Sequence, residues 1–319
     1  MVIANPIYDV VFKRMMENER VAKFFIGTLL DETIETVEVK PQEFTYSDEF
    51  AGIAVFRLDF IATIKTAAGE QKKVLIEIQK AKNQIDLMRF RNYLAEQYKK
   101  EDTINDEKVI LPITTIYILG FKLPEISTPC IKVERKYKDL INKITLEAKS
   151  DFVEKLTHDS YVVQVERITD RYLTRLDKLL SVFEQTNFVD DKKIIKEFNH
   201  VADLEEVEIM TDILHHSGTN PDERKKIETE QEAWRTVNAM FESEKKEFTK
   251  ALNEKDQVIN EKDQVINEKD QALIEKDQRL IEKNQALIEK DQAINKKDQA
   301  LNEKDQIIAD LLKKLDEKK

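Results

Sequence analysis

The stretch VFRLDFIATIKTAAGEQKKVLIEIQK, Val55–Lys80, decides how the chain folds. Two runs rich in Val, Ile, Leu and Phe flank the polar TAAGEQ. This pattern predicts a β-hairpin with strands over about 54–65 and 73–80, Gly69 supplying the positive φ of the turn. Each strand carries one acid among aliphatic neighbours, Asp59 in the first and Glu77 in the second. Asp and Glu are depleted from strands, and an uncompensated buried carboxylate costs roughly several kcal/mol. Side chains alternate along a strand, so Val74, Ile76 and Ile78 share one face while Leu75, Glu77 and Gln79 share the other. Folding the hairpin about a centre near Ala68 sets Asp59 opposite Glu77. A slip of a residue or two still leaves two acids on neighbouring strands.

Like charges that close raise one another's pKa, and a cation between them relieves the repulsion. Two carboxylates with a carbonyl from Gln79 or the backbone suit Mg2+, with Mn2+ as a substitute. Such a metal polarises a phosphodiester and activates water. A structural role fits the strands alone equally well, with Asp59 paired to Arg57 or Lys65 and Glu77 to Lys72 or Lys80.

The surroundings tilt the balance. From Lys72 to Lys100 eight Lys and Arg face three acids, Glu77, Asp86 and Glu96, a local +5 in a chain of net charge −11. KNQIDLMRFRNYLAEQYKKE predicts a helix with Arg89 and Tyr93 at i, i+4 on one face and Tyr98 further along. Acids that hold a metal beside cations that hold phosphate match the needs of a metal-dependent nuclease. An ordinary amphipathic helix surface explains Arg89 and Tyr93 as well.

Outward from the hairpin, residues 7–40 predict helix with a break near Glu17–Arg20, and then a first strand in TIETVEVKPQEF. VILPITTIYILGFKLP predicts a fully apolar strand ended by Gly120 and Pro124. Strands, a helix and a buried strand predict an α/β domain over 1–150. Residues 151–245 predict mostly helices, in RYLTRLDKLLSVFEQ, KKIIKEFNHVADLEEVEIMTDILHH and ERKKIETEQEAWRTVNAMFESEKKEF. One cysteine, Cys130, excludes an internal disulfide framework and a Cys-based zinc site. No apolar run reaches the ~18 residues of a membrane span, and the N-terminus lacks a signal-peptide layout, so a cytoplasmic protein is expected.

Residues 246–319 form a heptad arm. From Asn253 the unit NEKDQVI recurs in eight near-identical copies to Ile308. One column is always Ile or Leu, but the positions three and four residues on hold Lys and Asp or Asn in every copy. A coiled coil needs a second apolar column there. The repeat therefore predicts a long charged helix with one apolar ridge, about 95 Å over Asn253–Leu315, and at most weak homo-oligomerisation.

The ordered set DVVFK (Asp9–Lys13), RLDF (Arg57–Phe60), IEIQ (Ile76–Gln79), Arg89, Tyr93 and Tyr98 in RFRNYLAEQY, then ITTIYILGF, resembles the PD-(D/E)XK nuclease family transposases, or Rpn recombination-promoting nucleases. The match covers about residues 4–125 and extends loosely to 245; the repeat arm lies outside it. The resemblance implies a restriction-endonuclease-like core with a mixed sheet and Mg2+-dependent cleavage of DNA associated with recombination. It implies that Asp59 and Glu77 bind the metal. Gln79 stands where the general pattern has Lys and would orient water or metal. Lys80 falls on the opposite face, Asp9 is an accessory acid or a helix-packing residue, and Arg89 and Tyr93 contact DNA or brace the site. The alternative is a non-catalytic DNA- or protein-binding module of the same fold, with an interaction arm.

Overall fold

The computed structural model describes the backbone of residues 1–48, 53–80, 84–104 and 106–316. Side chains are described over these ranges except 41–48, 53–59, 84–86, 89, 237–238, 241, 244–245 and 314–316. The side chains of Asp59 and Arg89 therefore lie outside the described residues. Contacts divide the chain into two compact units, Met1–Met240 and Phe241–Lys319.

In chain order the elements are β1 (Val2–Ala4), α1 (Asp9–Met16), α2 (Glu19–Leu30), β2 (Ile34–Asp48), β3 (Ile53–Thr66), β4 (Gln71–Gln79) and α3 (Gln84–Lys99). Then come β5 (Asp102–Ile104), β6 (Glu107–Val109), β7 (Ile113–Leu119), β8 (Cys130–Val133), β9 (Tyr137–Lys138), β10 (Thr145–Leu146) and α4 (Asp151–Leu156). The last are β11 (His158–Gln164), α5 (Arg175–Ser181), β12 (Ile195–Glu197), α6 (Glu205–Thr219) and α7 (Pro221–Asp316).

The first unit is a mixed α/β fold around a six-stranded sheet of order β2-β3-β4-β7-β11-β8. The β2–β3–β4 run is an antiparallel meander, whereas β4, β7 and β11 are parallel and β8 closes the far edge antiparallel. Parallel neighbours need a crossover, and α3 lies within the one between β4 and β7. The Lys65↔Gln71 to Phe60↔Ile76 pairing places the hairpin centre as the sequence predicts, with Gly69 at φ 86° in the turn. Gly carries that φ without the steric penalty of a side chain.

Alternation sends the two sheet faces into different cores. Phe60, Ala62, Val74, Ile76, Ile116, Ile118 and Val163 enter the main core beneath α1, α2, α5 and α6. Phe12 of α1 anchors it, with ring centroids 5.0 Å from Phe60 and 5.4 Å from Phe25. Ile61, Leu75 and Ile113 face the other way, where Phe90 and Tyr93 of α3 cover them in a smaller core.

Several helices begin and end on local signals. Asn18, in the predicted break, accepts hydrogen bonds from the Arg20 and Val21 amides and caps α2. Thr174 and Asp177 form a reciprocal capping box on α5. Asn220 accepts from the amides of Asp222 and Glu223, and Pro221 opens α7 at the position proline favours.

Residues 151–245 differ from the helical expectation. HDSYVVQ is β11, an inner strand bonded to β7 and β8. The IKE run is β12, paired with β1 at the N-terminus. A cut at residue 150 would strip both strands from the unit Met1–Met240, so the expected boundary does not appear in the contacts. The helix expected across KKIIKEFNHVADL is broken at Lys193, whose φ of 57° is left-handed, while Ile194, Ile195 and Phe198 turn into the main core. Burial of those three side chains outweighs the helical preference of the segment.

In the second unit the chain is helical to Asp316. The Ile/Leu column is solvent-exposed along its length, from Ile259 at 53 % to Ile308 at 53 %. No helix among the described residues is long and apolar enough to cross a membrane.

Candidate functional site

The C-terminal end of β4 carries Glu77, Gln79 and then Lys80. Phe60↔Ile76 is the last paired position of the hairpin, so Asp59 and Glu77 come next on their strands. The predicted juxtaposition of the two acids lies one step beyond the described pairing, and the Asp59 side chain is outside the described residues. Glu77 is only 1 % exposed. It shares a face with Leu75 and stands beside Tyr117 on β7. Tyr117 touches Phe90 of α3, with centroids 4.7 Å apart. Burial, with the Glu77 charge adding to it, pushes the Tyr117 hydroxyl up to about 12. Tyr93 is 5 % exposed and packs in the same small core. Its place is therefore a packing position over this sheet face.

Gln79 is half-buried, and its carbonyl accepts the Gly120 amide at 2.8 Å. A Cβ on Gly120 would meet the Lys80 carbonyl oxygen at 3.0 Å and its Cα at 3.1 Å, so glycine lets the two strand ends close together.

Lys80 enters a group that the sequence did not point to. Its ammonium forms an ion pair with Glu230 of α7, the two side chains being 8 % and 10 % exposed. The same ammonium lies 4.7 Å from the Tyr8 ring centroid and 5.1 Å from that of Trp234. Glu230 also accepts the amides of Asp9 at 2.9 Å and Val10 at 3.2 Å. Its carboxylate thus caps α1, where the orphan amides favour negative charge. Burial pushes the Tyr8 hydroxyl well above its ordinary value, and the charges of Glu230 and Asp190 add to the shift. Asp9, itself 5 % exposed, opens α1 at this point. Asp9 and Lys80 are thus brought to one place through Glu230. A signal for it existed: Ile227, Glu230 and Trp234 recur at i, i+3 and i+7, one face of a helix.

Four of the eight cations in the basic window are in pairs with the chain's own carboxylates. Lys72 bonds Glu32 at 2.6 Å, Lys73 bonds Asp102 at 2.7 Å and Lys99 bonds Glu96 at 2.8 Å, with Lys80 on Glu230 as the fourth. Arg91 and Lys100 are exposed.

Among the described residues no group of three or more His, Cys, Asp and Glu could hold a metal ion. The described donors, Glu77 within an apolar face and Gln79 beside it, do not by themselves complete the mostly carboxylate and water shell that Mg2+ takes, and the side chain of Asp59 lies outside the described residues. Cys130 is half-buried, and burial pushes its thiol up to about 11, far from the thiolate a nucleophile needs. Comparison with protein-family models, curated proteins and solved structures finds no match to this chain.

Proposed function

We propose that the chain is a non-catalytic protein-binding module, built on an α/β unit whose layout resembles the PD-(D/E)XK nucleases and carrying a helical interaction arm. One observation carries this reading: Glu77, the acid a hydrolase of this layout would turn toward metal and water, is 1 % exposed beside Tyr117 on the face that α3 covers. Two features support it. Gln79 cannot place a positive charge near an attacking water. Four of the eight cations in the basic window are paired with the chain's own carboxylates, which removes most of their attraction for a phosphate backbone.

The second reading, a Mg2+-dependent DNA endonuclease associated with recombination, draws on the hairpin register, whose continuation by one step past Phe60↔Ile76 would set Asp59 beside Glu77. A plasmid-nicking assay with Mg2+ and Mn2+ separates the two. The module reading predicts intact plasmid and no retardation on DNA. Nicking abolished by EDTA and by Glu77→Ala establishes the endonuclease, and retardation without nicking makes DNA the partner.

A further inference from the structure

The repeat arm carries a recognition surface that specifies its own partner. The lysines of the repeat unit have no acidic neighbour at helical spacing, since in NEKDQVI no acid lies three or four residues from the Lys. Among the described residues of the repeat a single ion pair is present, Arg279 with Glu275 at 3.9 Å, and Arg279 is the residue that departs from the pattern. A helix that is polar nearly all round and lacks such pairs needs another source of stability.

The charges are also sorted by side. Taking the Ile/Leu column as zero, the Lys three residues on lies about 60° to one side and the Asp four residues on about 40° to the other. Each copy of the unit thus presents an exposed apolar ridge with a cationic edge and an anionic edge. Two such helices packed ridge to ridge in parallel are related by a two-fold axis along the helices. That axis sets the Lys edge of each against the Asp edge of the other. In the antiparallel arrangement the axis lies across the helices, and Lys meets Lys while Asp meets Asp.

The far end marks the register. After Ile308 the Lys and Asp positions become Leu311 and Leu312, so Leu301, Ile308, Leu311 and Leu312 form an apolar patch at the far end of the repeat, while Phe248 with Leu252 marks the near end and Ile274, Ile281 and Ile288 widen the ridge at the centre. The four far-end residues are 63 %, 53 %, 55 % and 61 % exposed. Parallel alignment without a shift sets each of these apolar stretches against its own copy. Full antiparallel overlap would lay each far-end patch on charged heptads at the other end. We infer that the arm binds a second copy of this chain as a parallel, in-register helix pair, joined by complementary Lys and Asp edges and locked by the leucine patch. The pairing stands whether the α/β unit cuts or only binds.

The test uses the full-length chain with Cys130→Ser and a single label site at Gln264→Cys or Gln306→Cys, both exposed and in the same column. The two sites are about 63 Å apart along one helix. Sedimentation should show a dimer that weakens at least tenfold as salt rises. Energy transfer with a ~40 Å pair should be high between copies labelled at the same site and near background when 264-labelled and 306-labelled chains are mixed. The combined variant Lys262→Glu, Lys269→Glu, Lys276→Glu should be monomeric alone. It should pair again with a chain carrying Asp263→Lys, Asp270→Lys and Asp277→Lys. A chain that stays monomeric at ~100 μM, or transfer that is strongest in the 264/306 mixture, overturns the inference.

Discussion

Replacing Glu230 by alanine should be the most damaging single change near the strand end that bears Glu77. The substitution strands the Lys80 ammonium, whose side chain is 8 % exposed, between the rings of Tyr8 and Trp234. Breaking one partner out of a buried pair costs about 3–5 kcal/mol. The amides of Asp9 and Val10 also lose their acceptor, adding about 1 kcal/mol. Contacts with the two aromatic rings recover about 1 kcal/mol of the stranded charge. The net expectation is a loss of about 3–5 kcal/mol, a large part of a domain stability of about 5–15 kcal/mol. Trp234 is the only tryptophan and lies within the cluster, so its fluorescence in urea reports on this unit without interference from the arm. The double variant Glu230→Ala with Lys80→Met should be more stable than Glu230→Ala alone by about 2 kcal/mol, because it removes the stranded charge. A Glu230→Ala chain within about 0.5 kcal/mol of wild type, or additive losses in the double variant, would refute the reasoning.

Two further outcomes follow from the same unit. Lys196 is 2 % exposed, and its ammonium donates to the carbonyls of Val182, at 3.0 Å, and Glu184. Burial lowers it from 10.5 to about 8. Between those values the folded chain has released a proton that the unfolded chain keeps, so stability from this group grows as pH rises through the window. It is complete above 10.5 and lost as pH falls through about 8. From pH 7 to 9.5 wild type should gain about 2 kcal/mol on Lys196→Met in urea unfolding, and a pH-independent difference would count against it. Gly120→Ala forces a Cβ to 3.0 Å from the Lys80 carbonyl oxygen and should cost about 1–2 kcal/mol in the same assay, whereas Gly69→Ala meets no atom within 4 Å and should show only the strain of its φ of 86°.

What was legible in the sequence was what local pattern controls. The hairpin about Gly69, the buried strand ITTIYIL, the break at Asn18 and the helical repeat each carry their signal within a few residues. What escaped depends on partners far along the chain. β1 has three residues and pairs with β12 from the other end of the unit. HDSYVVQ is too short to outweigh its helical surroundings by pattern alone, and becomes a strand because β7 and β8 flank it. The positive φ at Lys193 has no glycine to announce it. At the candidate site the hairpin register was readable as far as Phe60↔Ile76, because hairpin geometry fixes it. The burial of Glu77 was not, because it depends on how α3 and Tyr117 pack over that face. The pairing of Lys80 with Glu230 spans 150 residues and needed the fold.

Binding of Mn2+ by wild type and by Glu77→Gln, read from the signal of the free ion, tests most directly whether this strand end is a structural carboxylate or a metal centre. The binding-module account predicts the same weak uptake by both chains and no change in the unfolding midpoint with metal. One ion bound per chain in wild type and lost in Glu77→Gln would contradict it and restore the endonuclease.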